Sequence, residues 1–474
     1  MLPFTLAILA PRIVLALVAF GVLSLSIASR PAKRLLDFDQ SFYTTIAYDL
    51  DRNGVFSNGV FDDVDSTVAV PPAGMFFAPV YPLLVLAAMK IDPRFAEAVK
   101  CSVEANQGHG DDATCEPYAR PMHIIHAALL ALGILAVAVA GEVMFGSRTV
   151  FWLAGAFATI GLAAEAEIFS FIMTESATFS LYSMFALTIV LAWTTARPRY
   201  FVLAGGLLGA LCLTRLSFLV LFPVAAGLSL LHGYRICDPR RSFTKVHVLA
   251  LTIAFAAVLG AWAARNVVSV GRLGLSEEYG SAALIERFAY NDMTPREFIL
   301  AFPYCTPEIG DLAFDRTYGT DSMHRFVYHT AGSFFSVGRE RRNALVKEHG
   351  QLDPLIGGII LDEMRANWWR HLLVSIPLAW CGLWAGWEVS LALVPLFGWA
   401  CARALRRSQP LLLLYAAPAI TMLGLHAALA NHYTRYNLIL IGPFAVGAAW
   451  IISTWLPHIG RRSPVSRGSS PAPS

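Results

Sequence analysis

Charge is the first thing this sequence lacks. Asp, Glu, Lys and Arg make up 15% of its 474 residues, where a soluble globular domain carries about a quarter. Lipid rather than water is therefore the main solvent. The formal net charge is +3, too slight to suggest a nucleic-acid partner. Seven cysteines form no Cys-x-x-Cys and no Cys/His metal spacing, which argues against a zinc site. A Walker A motif and a Rossmann glycine fingerprint are both missing, and with them any nucleotide-binding domain. No internal repeat is visible, which weakens a transporter reading, because many transporters are built from repeats. What is present is apolar: 56% hydrophobic residues and a mean hydropathy of +0.56. The expected fold class is an all-α polytopic membrane protein.

A membrane helix needs roughly 20 mainly apolar residues. About ten segments qualify: 3–28, 121–144, 150–165, 168–194, 200–214, 216–232, 247–266, 387–403, 411–430 and 437–456. Two more, 76–91 and 371–385, contain proline and look too short or broken. They are assigned as interfacial or re-entrant helices. The chain thus divides into a first span (1–28), a first large loop (29–120), a block of spans (121–266) and a second large loop (267–370). An interfacial helix with the last spans (371–456) and a tail (457–474) follow. The tail is poor in hydrophobic residues and reads as disordered.

Short loops carry the orientation signal. Arg148, Arg197, Arg199, Arg235, Arg240, Arg241, Lys245, Arg403, Arg406, Arg407, Arg461, Arg462 and Arg467 fall on one side of a ten-span chain. The positive-inside rule makes that side cytoplasmic and both large loops external. Arg30, Lys33 and Arg34 disagree, but they open a long loop, and long loops vote weakly. Ser26-Ile27-Ala28 is cleavage-like, yet the basic n-region of a signal peptide is almost absent and Arg12 interrupts the apolar run.

The first large loop opens Leu36-Asp37-Phe38-Asp39-Gln40-Ser41-Phe42-Tyr43. Asp39, Tyr43, Ala47 and Leu50 fall on one helical face. Asp37, with Gln40 three residues later, resembles a capping box and predicts Asp37 as N-cap. Asp39 then sits in the first turn, where the helix dipole favours its ionised form. A carboxylate there can take a proton from a sugar hydroxyl. Two aspartates that merely cap and solvate a helix end would look the same. Ionisable residues at the ends of spans are costly and are functional candidates. Glu175, Arg215, Arg265 and Arg435 all lie, by this topology, on the side of Asp39. A guanidinium offers paired donors to a phosphate. The same groups could instead snorkel, or pair with each other, Glu175 with Arg215 above all.

Several of these residues stand in motifs that resemble a known family. Asp39-Gln40-x-x-Tyr43-x-x-x-Ala47, then Gly54 and Phe77-Ala78-Pro79-Val80-Tyr81-Pro82-Leu83, resembles the first periplasmic loop of GT-C glycosyltransferases. The similar branch holds protein O-mannosyltransferases and the lipid A aminoarabinose and galacturonic acid transferases. Met173-Thr174-Glu175, Leu213-Thr214-Arg215, Trp262-Ala263-Ala264-Arg265-Asn266 with Gly271, and His432-Tyr433-Thr434-Arg435-Tyr436 with Pro443 follow in the family's order. Gln40 replaces the family's Glu, so that residue's role does not carry over. The middle of the second large loop resembles nothing comparable.

The resemblance implies a GT-C-like bundle of about ten transmembrane helices with two large periplasmic loops, multi-pass in a bacterial-type inner membrane. It implies transfer of a monosaccharide from a polyprenyl-phosphate carrier to a lipid, glycan or protein acceptor on the periplasmic side. Asp39 would be the general base. Arg215, Arg265 and Arg435 would hold the donor phosphate. Asp37, Tyr43, Tyr81 and Glu175 would line the substrate. No metal or other cofactor is expected, and membrane lipids are the remaining partner. A lipid or sugar transporter or flippase is the rival reading, and predicts inverted repeats and charges near the midplane. A structural or assembly membrane protein is another, and needs no such set of charges.

Cys101 and Cys115 flank a polar stretch rich in Gly, Asn and Asp, and an oxidising compartment lets them pair. A loop of about 15 residues closed in this way stabilises by roughly 3 kcal/mol in the chain-entropy model. Cys305 reads as alone in the second loop, and Cys212, Cys237, Cys381 and Cys401 as in or near spans or inside. His123 and His126 lack a third ligand and read as interfacial packing. Trp368, Trp369, Trp380, Trp384 and Trp387 read as an aromatic belt, and Gly205, Gly206 and Gly209 as close helix packing.

Overall fold

The structure, a computed structural model, describes residues 2–59, 70–106, 114–235, 245–277, 280–310, 320–328, 330–349, 354–430 and 433–456. The expected tail, and Cys237, Arg240, Arg241 and His432, lie outside the described residues. Among those described, the regular elements are helices and there are no strands.

Chain order runs α1 (Leu2–Ala28), α2 (Gln40–Asn53), α3 (Val80–Ile91), α4 (Pro93–Glu104), α5 (Arg120–Phe145), α6 (Arg148–Ala164), α7 (Ala166–Ser170), α8 (Glu175–Thr195) and α9 (Pro198–Cys212). Then come α10 (Leu221–Arg235), α11 (Lys245–Val270), α12 (Gly280–Phe288), α13 (Pro295–Cys305), α14 (Phe334–His349), α15 (Pro354–Leu383), α16 (Ser390–Arg406), α17 (Pro410–Leu429) and α18 (Ile441–Ser453). Among the described residues, seven helices are long and apolar enough to cross a membrane: α1, α5, α8, α11, α17, and α16 and α18 with the short turns that precede them. The segments expected as spans at 150–165, 200–214 and 216–232 form apolar helices shorter than these seven.

Local chemistry explains the boundaries. Gly146, at φ 61°, closes α5 with its N–H on Glu142 O, and Ser147 caps α6 through Val150 N–H. Pro121, Pro198 and Pro410 open their helices from the first turn, where no N–H is needed. Close packing relies on glycine. A Cβ at Gly205 would lie 2.2 Å from Leu251 O and one at Gly209 2.8 Å from Val258 Cβ, so α9 and α11 touch backbone to backbone. Gly206 faces open space. α18 runs through the middle of the bundle, while α1 and α11 leave most of their length exposed.

One expectation needs correction inside the bundle. The apolar run 168–194 is not one helix: it breaks between α7 and α8, where Phe171 turns extended. The break frees the Ile172 N–H, which donates to Gln40 Oε1 at 2.7 Å. Glu175 thereby becomes the first residue of a helix.

The two large connections each have a core. α2, α3 and α4 pack through Ile46, Tyr81, Val85, Phe95 and Val99. Cys101 and Cys115 are joined in a disulfide with Cα atoms 5.8 Å apart. In the second connection Tyr290, Leu300, Phe326, Phe334, Val374 and Leu378 pack with Ala427 of α17. Cys305 is not alone there, because it is bonded to Cys381. The two are 76 residues apart, and Cys381 lies in a stretch whose composition reads as membrane. Nor does the helix around 371–385 stand alone: α15 begins at Pro354 and kinks at Asn367. Trp368, Trp369 and Trp387 are exposed, as a belt requires, but Trp384 is buried and Trp380 donates to Phe302 O.

The second connection is fastened to the end of α17 by cationic and imidazole donors. Arg287, fully buried, donates from Nε to Ala427 O at 2.7 Å, and His371 Nε2 to Ala428 O at 2.7 Å. These carbonyls end a helix and have no partner within it, so donors there satisfy them. Burial lowers the Arg287 pKa to about 10, which still leaves it charged at neutral pH.

Candidate functional site

The site begins at a turn. Phe38 has φ 55°, a left-handed conformation uncommon for a bulky residue and of a kind that gathers at functional sites. That turn delays the helix. Asp39, not Asp37, occupies the N-cap of α2, and its side chain makes no capping bond. Gln40 explains why no capping box forms. Its amide NH2 donates to Arg34 O and Asp37 O, both at 3.0 Å, while its oxygen accepts from Ile172. Asp37 contributes a carbonyl to this knot. The Asp39 carboxylate is left half exposed, at 51%.

Three elements bring charges to it. Arg435, just before α18, reaches Asp39 Oδ2 from Nη2 at 3.5 Å. Its Nε lies 3.9 Å from Glu175 Oε1, and its Nη1 3.2 Å from Met173 Sδ. Arg215, between α9 and α10, sets Nη1 3.7 Å from the same Glu175 oxygen. The Tyr436 ring stands between the two guanidinium groups, 4.7 Å from Arg215 Cζ and 5.2 Å from Arg435 Cζ. Glu175 is buried, at 4% exposure, in the first turn of α8, where the helix dipole favours a carboxylate.

These ion pairs are long. Both arginines sit beyond hydrogen-bond range of Glu175, and the Arg215 guanidinium makes no hydrogen bond among the described residues. Its donors are oriented by one carboxylate and an aromatic face, without being consumed. An anion approaching Arg215 finds its donors unengaged, while the Arg435 fork also serves Asp39, Met173 and the Tyr436 hydroxyl.

The remaining expected residues fall elsewhere. Arg265 donates to Phe56 O at 3.0 Å and to Gly74 O at 2.5 Å, with its guanidinium near the Trp262 and Phe56 rings. It ties the first connection to α11 and shares no contact with Glu175 or Asp39. Tyr43 joins the cluster through electrostatic contact with Arg215. Tyr81 is fully buried behind it, ring centroids 4.9 Å apart. The Tyr81 hydroxyl donates to His126 Nε2 at 2.8 Å, since His126 Nδ1 must carry the proton given to Phe169 O. His123 likewise donates to Ser170 O. Both histidines hold the α7–α8 break in place.

Sequence reasoning missed part of the wall. Tyr328, from the second connection, meets the Tyr433 ring at 4.6 Å and packs on Phe335 at 3.9 Å. Arg339 follows Phe335 by one turn on α14. Tyr433 and Tyr436 belong to the His432–Tyr436 motif; nothing local marks Tyr328 or Arg339. Among the described residues no three His, Cys, Asp or Glu side chains gather as metal ligands. No protein-family model and no curated protein matches this chain.

Proposed function

We propose that this chain is a membrane glycosyltransferase of the GT-C type, using a polyprenyl-phosphate sugar as donor. Ten spans put the short basic loops inside. The Asp39 end of the bundle then faces outward, toward the periplasm of a bacterial-type inner membrane. The observation that carries the reading is the shared set of Glu175, Arg215, Arg435 and half-exposed Asp39. Two arginines gathered on one buried carboxylate, the donors of Arg215 unengaged, suit a phosphate. A carboxylate beside them that water can reach suits a base.

The chemistry balances without redox change. The acceptor hydroxyl oxygen attacks the anomeric carbon, and its proton goes to Asp39. The bond from that carbon to the carrier phosphate breaks, and the phosphate monoester leaves with the electron pair. Arg215 and Arg435 stabilise the charge that grows on it. Glu175 keeps the two guanidinium groups aimed.

The test is binding of undecaprenyl phosphate to the purified chain in nanodiscs, followed by native mass spectrometry. Arg215→Lys and Arg435→Lys each weaken it by about tenfold or more, since lysine keeps the charge but not the fork. Arg265→Lys lowers thermal stability and leaves binding by the folded fraction intact. Equal binding by wild type and both cluster variants would remove the phosphate role.

A further inference from the structure

Donor chemistry uses Arg215 and Arg435 and leaves the aromatic rings next to Arg435 unassigned. Tyr328 comes from the second connection, Tyr433 and Tyr436 from the stretch before α18. Tyr328 is 36% exposed and backs onto buried Phe335. Tyr433 stands nearly perpendicular to it and carries the wall on to Tyr436, ring centroids 5.6 Å apart. Arg435 lies 5.7 Å from the Tyr433 centroid, so the wall reaches the Asp39–Arg435 pair.

The far end is Arg339. It is exposed, its Cζ is 5.7 Å from the Phe335 ring, and it has no ion-pair partner among the described residues. A purely apolar wall would suit a lipid tail. This one sets the exposed Tyr328 ring beside other aromatic rings and ends in a guanidinium. A sugar ring has the matching surface: an apolar C–H face for a tyrosine and hydroxyl edges for its rim. A guanidinium at the end suits a carboxylate or phosphate on that sugar.

We propose that Tyr328, Tyr433 and Arg339 form the acceptor subsite, and that the acceptor is an anionic saccharide. Its ring lies on the tyrosines, its anion meets Arg339, and the reacting hydroxyl points to Asp39. The inference rests on the glycosyltransferase reading and names the acceptor class that reading leaves open. It also gives the second connection a role.

Titration by NMR on the full chain in nanodiscs tests it with three probes: methyl glucoside, glucuronate and glucose 6-phosphate. At least one anionic sugar binds about tenfold or more tightly than methyl glucoside. Which one it is distinguishes a carboxylate from a phosphate source. Arg339→Ala abolishes that difference and leaves undecaprenyl phosphate binding unchanged. Tyr328→Ala loses all three sugars, and Tyr328→Phe keeps them, which separates ring stacking from misfolding. Equal binding of neutral and anionic sugars by wild type, no sugar binding at all, or a preference that survives Arg339→Ala overturns the subsite. Failure of wild type to bind undecaprenyl phosphate strikes the donor reading instead, and the sugar titrations still decide this one.

Discussion

Asp39 and Asp37 are two residues apart and differ in surroundings. Asp39 faces Arg435 at 3.5 Å, while Asp37 supplies its carbonyl to Gln40. Asp39→Asn therefore cuts transfer by about 10²–10⁴ with the fold intact, the usual range for losing a general base. Asp37→Asn leaves it within a few fold. A steady-state assay on both variants decides, and the opposite ranking would reverse the roles. Asp49 carries a pH prediction. It is buried in α2 with Ser57 as hydrogen-bond donor, and burial raises its pKa to about 6. The folded chain binds the proton more tightly than the unfolded one. Stability from this group is thus greatest below pH about 4 and falls as pH rises to about 6. Asp49→Asn raises the melting temperature at pH 7.5 and flattens the dependence between pH 4 and 6. Thermal unfolding in detergent at both ends of that window measures it; an unchanged slope would contradict the assignment. Asp39, Glu175, Arg215 and Arg435 were legible because charge is rare in this chain and each sits at a helix end. Arg265 was legible as a functional candidate for the same reason, but charge alone does not tell a ligand donor from a backbone clasp. In the structure its guanidinium is bonded to Phe56 O and Gly74 O.

Among helices, apolar length is easily read and interruptions are not. Phe171 and Ile172 carry no breaking signal of their own, being neither glycine nor proline. The break at α7–α8 is stabilised from outside, by Gln40, His123 and His126. Gln40 shows why an amide serves at this position. Its amide both donates and accepts, which an ionised Glu could not do. Glycine packing, by contrast, was readable and is testable. Gly205→Ala forces a Cβ to 2.2 Å from a backbone oxygen and costs about 1–3 kcal/mol or more. Gly206→Ala, pointing into open space, is neutral within about 0.5 kcal/mol. Monodisperse yield and melting temperature in detergent compare the pair directly. Equal loss from both would show that the α9–α11 contact is not tight. The Cys305–Cys381 link and the Arg287 clasp were invisible for another reason. Each joins residues far apart in sequence that only the folded second connection brings together.

For the molecule as a whole, composition alone indicated a helical membrane protein, and among the described residues seven helices meet the length and polarity for a span. Two large connections, each with its own core, gather at the end where Asp39, Glu175, Arg215 and Arg435 meet. The first brings the half-exposed Asp39 carboxylate. The second brings Tyr328 and Arg339, which no motif announced. The proposal reads the arginines as a phosphate site and the tyrosines as an acceptor shelf. The most direct measurement is mass spectrometry of envelope glycolipids and glycoproteins from cells lacking this chain. Those cells are complemented in parallel with the wild-type chain and with Asp39→Asn. The account predicts an acceptor that loses one sugar increment on deletion, regains it with the wild-type chain, and does not regain it with Asp39→Asn. Identical profiles with and without the chain, or full restoration by Asp39→Asn, would contradict it.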